Sequence, residues 1–371
     1  MKKLLGYIIY LALSALIILE MIFYLLPVSN SKKTQPVDAH DLIAHRLESV
    51  TATHQTGYSF SHIVEKKINN YGYASNIDFE LGKGAKNSLV AIIGDSFVEA
   101  TQVTNANSFH GKLMSYYPEI NFYATGLGGS QLSQYLAFSK FHIDTFNPDK
   151  FVFVIIENDF TESLLRYKKV PALHYFRDDG DLVPLYYDPP MIKVVLRESA
   201  FIRYLVLDLK IEDRVNQLIG SLDWVIDGDS LESSANTVQK DIELQAAADA
   251  LRSVDLFLGG LQKIVNGKPV MFVLDGDRSS IYSGRKNRDM SLFEQRAMVY
   301  LKERSKDLPN VTILDMHPIF EEKWNESGET FDYDYDYHWN ELGHATVAES
   351  IVQSSFIDKK YPLLDQTDKN M

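Results

Sequence analysis

Three short apolar runs, at residues 88–93, 120–124 and 151–156, alternate with helical patterns over 105–117 and 131–145. Runs of this length, rich in β-branched and aromatic residues and free of interior charge, fit strands covered on both faces. Hairpins need only a few linking residues, whereas a helix-length connection predicts right-handed βαβ crossovers and parallel pairing. Pro118 and Pro148 close the two helices. The alternation resumes after residue 240: a helical pattern through 266, VMFVLD at 270–275, a helix over 292–308 and VTILD at 311–315. The expected architecture is therefore an α/β fold with a mostly parallel sheet of about five strands and helices on both faces.

Each of the first three strands ends in a small or polar residue suited to chemistry. Residues 89–96 read LVAIIGDS, the second strand runs into TGLGGS with Gly126, and the third ends near Asn158. Open α/β sheets place their sites at this carboxyl edge, and Gly94 permits a tight turn presenting Ser96. A neutral hydroxyl is a poor nucleophile, so Ser96 needs a base and the base needs an orienting acid. Asp336 and His338, two positions apart in DYHWN, supply that pair if the loop folds back on itself. His344, six residues on, falls within the terminal helix, where packing accounts for it. Developing negative charge on an acyl oxygen calls for fixed donors, and the Ser96 and Gly126 backbone N–H groups and the Asn158 side chain are the candidates. The Asp332, Asp334, Asp336 alternation resembles the start of a calcium loop, but Tyr337 and Gly343 replace the glycine and glutamate such a loop requires. No compact HxH or HExxH sequence supplies a metal site.

Lys2 and Lys3 precede a 23-residue apolar run at 4–26 that contains one acidic residue, Glu20. At 1.5 Å per residue it reaches roughly 34 Å, enough to cross a hydrocarbon core. The following residues lack a small-x-small cleavage site, which favours an uncleaved signal anchor over a removed signal peptide. The expected organisation is an anchor at 1–30, a tether and N-terminal extension at 31–86, and a catalytic core at 87–160. An insertion or lid follows at 161–239, then a second core segment at 240–358 and a flexible tail at 359–371. A weak helical pattern marks 60–69. Within the insertion, 191–209 reads as an amphipathic helix, too often interrupted by charge to be a second span. The net charge of −13 argues against a general nucleic-acid-binding surface, and the absence of cysteine excludes disulfides and thiolate chemistry.

The blocks 94-GDSFVEA-100, 126-GLGGSQ-131, 157-ENDF-160 and 336-DYHWNELGH-344, in this order, resemble the SGNH or GDSL-like hydrolase superfamily over about residues 87–160 and 245–355. The resemblance implies a three-layer α/β/α sandwich without a cofactor. It also implies Ser96 as nucleophile, Gly126 and Asn158 as oxyanion donors, His338 as base and Asp336, in preference to Asp334, as its acid. Glu157 stands where a glycine is common and is a candidate specificity group. The DxHW form of the last block resembles exported bacterial proteins that act on O-acyl groups of envelope polysaccharides. On that analogy the expected function is an esterase or acyltransferase acting on O-acetyl groups of an extracytoplasmic carbohydrate, with Tyr333, Tyr335, Tyr337 and Trp339 framing the sugar. Its partners would be an O-acylated glycan or acyl donor, the membrane through residues 4–26, and a membrane-bound acyl-transfer or export partner. The alternatives are a lipid or lysophospholipid esterase and an inactive glycan-binding or envelope-assembly protein.

Overall fold

The computed structural model describes residues 2–31, 33–56, 60, 62–82, 86, 88–209, 211, 232–282, 291–334 and 336–357. Its centre is a five-stranded, all-parallel sheet built from β3 (Ser88–Gly94), β4 (Ile120–Gly126), β5 (Lys150–Ile155), β8 (Val270–Leu274) and β9 (Val311–Asp315). The strand order is β4-β3-β5-β8-β9, so the chain winds outward in both directions from β3. Adjacent carboxyl ends that diverge in this way leave a crevice above β3.

Alternate side chains of each strand enter separate cores, as the two-residue period of a strand requires. Leu89, Ala91 and Ile93 of β3, with Phe151, Phe153 and Ile155 of β5, face α4 (Leu132–Thr145) and two later helices, α8 (Glu232–Val265) and α10 (Leu292–Ser305). Val90, Ile92, Val152 and Val154 face the opposite layer of α3 (Phe109–Tyr116), α11 (Met316–Ser327) and α12 (Glu341–Gln353). Two apolar cores on the two faces of one sheet make the three-layer α/β/α sandwich. The helices start at ordinary caps: Ser108 accepts from Gly111 N–H, and Ser291 with Glu294 forms a reciprocal capping box.

The N-terminal extension departs from the expected tether. β1 (Val50–Thr56) and β2 (His62–Ile68) pair antiparallel, and β2 stands in place of the helix expected at 60–69. In β2 the residues Val64, Lys66 and Ile68 point inward. A lysine at an inward position disguises the strand period, and the reason it is tolerated is local. Lys66 Nζ donates to the carbonyls of Ala100 and Val103 at 2.7 and 2.9 Å, and burial pushes its ammonium down to about 7. Val37 and Ala44 are also buried and join the core on one face of the sheet, so these two points of the extension are packed against the body.

Past β5 the described residues hold α5 (Asp159–Glu162), which runs into the expected insertion, the hairpin β6 (His174–Phe176) with β7 (Leu182–Pro184), and three short helical pieces between 191 and 208. These pieces are α6 (Met191–Leu196), α7 (Ala200–Arg203) and a π-helical turn at Tyr204–Asp208. Ser199 breaks the anticipated single helix because its side chain caps Ile202 N–H and starts α7 afresh. The first 23 residues after Met1 form α1 (Lys2–Tyr24), an unburied helix long and apolar enough to cross a membrane.

Candidate active site

Ser96 opens α2 (Ser96–Glu99), a single turn that leaves the end of β3. This turn folds directly over the sheet, which leaves no room for side chains beneath it. A Cβ on Gly94 would lie 2.4 Å from Val98 Cγ2, and one on Gly126 would lie 2.4 Å from the Glu99 nitrogen. Both positions therefore require glycine for packing. Asp95 caps the turn through Phe97 N–H (2.9 Å) and also lies 3.1 Å from Ser96 Oγ. Burial pushes the Asp95 carboxyl up to about 6, against the pull of the Phe97 amide and the nearby His338.

The antiparallel pair β10 (Asp332–Tyr333) and β11 (Asp336–Trp339) returns the C-terminal loop to this point. His338 Nε2 lies 2.7 Å from Ser96 Oγ. On the other side of the ring, His338 Nδ1 is bonded to Asp336 Oδ1, which also accepts the His338 backbone N–H at 3.1 Å. A carboxylate at Nδ1 favours the tautomer with its proton there and leaves Nε2 free to accept. Burial opposes the charge on Asp336. The His338 ring, the His338 backbone N–H and the Gln102 amide outweigh it and hold the carboxyl well below the usual carboxylate range.

Gln102 carries no recognisable motif, and sequence reasoning passed over it. Its Nε2 donates to Asp336 Oδ2 at 3.1 Å, while its backbone carbonyl accepts from Tyr333 Oη and meets His62 Nε2. The segment that carries it is fixed by Lys66, whose carbonyl partners lie at positions 100 and 103. The buried Lys66 thus holds the loop that holds the acid.

A second clamp secures the histidine loop from behind. Trp339, expected to frame a sugar, is instead fully buried: its ring lies among Phe97, Phe109 and Phe320, and Nε1 donates to Asp275 Oδ1 at 3.0 Å. A large aromatic side chain next to the base was read as a contact surface, but the terminal helix covers it. Arg278 donates to the Tyr337 carbonyl at 2.5 Å and pairs with Asp275 at 3.2 Å. Asp332 faces the same guanidinium, and Asp334 is exposed, so Asp336 is the acid that meets His338. His344 is buried with Nδ1 3.3 Å from Phe109 N–H; burial pushes its pKa well down and keeps it a neutral acceptor. The Tyr337 ring stacks on His338 with centroids 4.6 Å apart. Tyr335 lies outside the described residues, and Glu157 is half-buried at the end of β5.

The candidate oxyanion donors lie on the strands flanking β3. Gly126 is in register with Gly94, but its Cα faces Val98 and Glu99. Gly128 approaches the serine side chain, since a Cβ there would sit 3.6 Å from Ser96 Cβ. Gly128 N–H donates to Glu99 Oε2 at 2.7 Å, and Arg46 grips the same carboxylate through Nε and Nη2 at 2.8 and 3.2 Å. Asn158 Nδ2 gives one hydrogen bond to Glu162 Oε2 at 3.0 Å, and Glu162 is paired in turn with Lys168. An amide has two N–H groups, so Asn158 retains a second.

No family model and no curated protein matches the sequence. Among solved structures, the chain is similar to a member of the lipolytic protein G-D-S-L family from Veillonella parvula, at 11% identity over 72% of this chain and 97% of that one, with TM-score 0.38. It is also similar to the lipase/acylhydrolase from Enterococcus faecalis, at 11% identity over 72% and 95% of the two chains, with TM-score 0.39. An alpha/beta hydrolase enzyme from the metagenome of Lake Arreo, Spain, matches at 13% identity over 74% and 97%, with TM-score 0.38. At such scores the likeness carries no argument about chemistry, which rests on the geometry around Ser96.

Proposed function

We propose that the protein is a serine-dependent ester hydrolase or acyltransferase of the SGNH type. The observation that carries this reading is the line Ser96 Oγ, His338 and Asp336, with 2.7 Å between the hydroxyl and Nε2. In this reading His338 takes the Ser96 proton as Oγ attacks the acyl carbonyl, and Asp336 stabilises the imidazolium. The tetrahedral oxyanion is met by the Ser96 N–H and Asn158 Nδ2, with Gly128 preferred to Gly126 as the backbone donor once Glu99 yields its N–H. Collapse of the intermediate expels the alcohol, which takes its proton from His338 and leaves Ser96 acylated. Water or a sugar hydroxyl then releases the acyl group by the reverse sequence.

Two substrate classes have support. An O-acyl group, acetyl above all, on an envelope carbohydrate is supported by an open cleft of about 600 Å³ beside the acid loop, with hydrogen-bonding side chains of His62, Tyr333, Asn340 and Glu341 in its lining. A lipid ester is supported by an apolar groove of about 510 Å³ near α1. Thr34 in its lining accepts from Arg46 at 2.6 Å, and Arg46 in turn holds Glu99. In both readings α1 anchors the protein with the body on the extracytoplasmic side, where an export or acyl-transfer partner would meet it. Product analysis with O-acetylated glycans and with long-chain lysophospholipids tests the choice. Acetate release or transfer only from glycan supports the first, and fatty-acid release only from lipid supports the second. Turnover of either substrate unchanged in Ser96→Ala would refute both.

A further inference from the structure

Glu20 is an acidic residue inside an apolar helix, an expensive placement unless something satisfies it. Its carboxylate accepts Ser199 Oγ at 2.5 Å and the backbone N–H groups of Ala200 and Phe201 at 2.7 and 3.2 Å. Phe23 adds ring contacts with Phe201 and Tyr204 at 5.4 and 4.5 Å. The insertion is thus fastened to the end of α1 nearest the body. Next to that joint, Met191, Ile192, Val195, Leu196 and Val206 are exposed, an apolar surface with no protein cover among the described residues.

The groove described above opens in this surface. Ile192, Leu196, Ile202 and Val206 contribute to its apolar wall. Among the described residues its charged lining is one-sided: Lys33, Lys193, Arg197 and Arg203 take part and no acidic residue does, in a chain of net charge −13. Lys33 is neutralised by Glu198 at 2.7 Å. Lys193 instead lies over the Tyr187 ring at 5.3 Å, while Arg197 donates through Nη1 to the Thr34 carbonyl at 3.4 Å and its Nε, without a hydrogen bond, lies 4.0 Å from the Glu198 carboxylate. Apolar walls beneath a basic rim are complementary to an acyl chain beneath a phosphate. Lipid is also what surrounds the end of α1 if that helix spans a membrane.

We propose that this groove binds one anionic phospholipid of the anchoring membrane, with an acyl chain along Ile192, Leu196 and Val206 and its phosphate at Lys193 and Arg197. The lipid seats α6 and α7 in the membrane interface, as amphipathic helices with basic flanks do. The body is thereby held in a fixed orientation relative to the bilayer. The proposal rests on reading α1 as a membrane anchor and is independent of whether the lipid is also a substrate.

The test uses the full chain in phosphatidylcholine nanodiscs doped with phosphatidylglycerol carrying a photoreactive acyl chain, with labelled peptides mapped by mass spectrometry. Label is expected on α1 and on residues 191–207. In Lys193→Glu/Arg197→Glu the label at 191–207 falls about tenfold while that on α1 is unchanged. Lys193→Gln, which alters only an exposed side chain, gives a smaller fall in the same direction and covers the case in which the double variant fails to fold. A phosphatidylcholine probe labels the groove weakly. Label on α1 alone overturns the groove and leaves the anchor standing. No label on either stretch overturns the anchor reading and the groove with it. Equal labelling by both probes, unchanged in the charge variants, overturns recognition of an anionic lipid.

Discussion

Replacing Gln102 tests whether the acid is positioned by the loop that Lys66 secures. Gln102→Ala deletes a 3.1 Å hydrogen bond to a carboxylate. Bonds to charged groups contribute about 1.5–3 kcal/mol. Asp336 is only partly buried, so water recovers a share, and the lower end of that range applies. If the loss appears in the transition state, where His338 becomes positive, kcat/KM falls about tenfold. Gln102→Glu places a second carboxylate at the same distance, a repulsion of about 5 kcal/mol at an effective dielectric of 20. It should therefore lower kcat/KM at neutral pH by well over about a hundredfold. The assay is hydrolysis of p-nitrophenyl acetate, with thermal unfolding of each variant as the control for folding. A role confined to packing predicts similar small losses for both variants. If both stay within about twofold of the unaltered protein, Gln102 does not position Asp336.

Lys66→Met tests the buried amine. With its folded pKa pushed down to about 7, Lys66 binds fewer protons in the folded state than in the unfolded chain, where the value is about 10.4. Stability of the unaltered protein should therefore rise relative to Lys66→Met between about pH 7 and pH 9.5, at up to about 1.4 kcal/mol per unit. Parallel urea-unfolding curves would contradict this. Gly126→Ala forces a Cβ against the backbone of Val98 and Glu99, so its melting temperature should drop by the several degrees that about 1–3 kcal/mol of overpacking implies. Gly128→Ala meets side chains and no backbone among its nearest neighbours: the Glu99 carboxylate at 3.0 Å, Ser96 Cβ at 3.6 Å and Arg46 Nη2 at 3.9 Å. It should fold and lose activity, and equal melting losses in the two would refute this distinction.

The central sheet was legible because its strands are mostly apolar runs free of interior charge, separated by helix-length connections that favour parallel pairing. Ser96, Asp336 and His338 were legible because a hydroxyl, an acid and an imidazole each stand at a predicted turn or loop. The antiparallel pair β1–β2 was not, since Lys66 occupies an inward position and its partners, the carbonyls at 100 and 103, are defined only by the tertiary fold. Trp339 was misplaced for a related reason. Its spacing from His338 suggests a substrate contact, whereas the side chain turns inward to Asp275, a residue 64 positions away. Gly126 and Gly128 belong to one glycine-rich turn, and only the position of α2 shows which of them approaches Ser96. Gln102 and Arg278 act through contacts far apart in sequence, with no local spacing to mark them.

Intact-protein mass spectrometry of the full chain after brief exposure to p-nitrophenyl acetate tests the serine mechanism directly. The account predicts a single acetyl adduct that maps to Ser96, is absent in Ser96→Ala, and forms far more slowly in His338→Ala. An adduct on another residue, or the same adduct in Ser96→Ala, would contradict it.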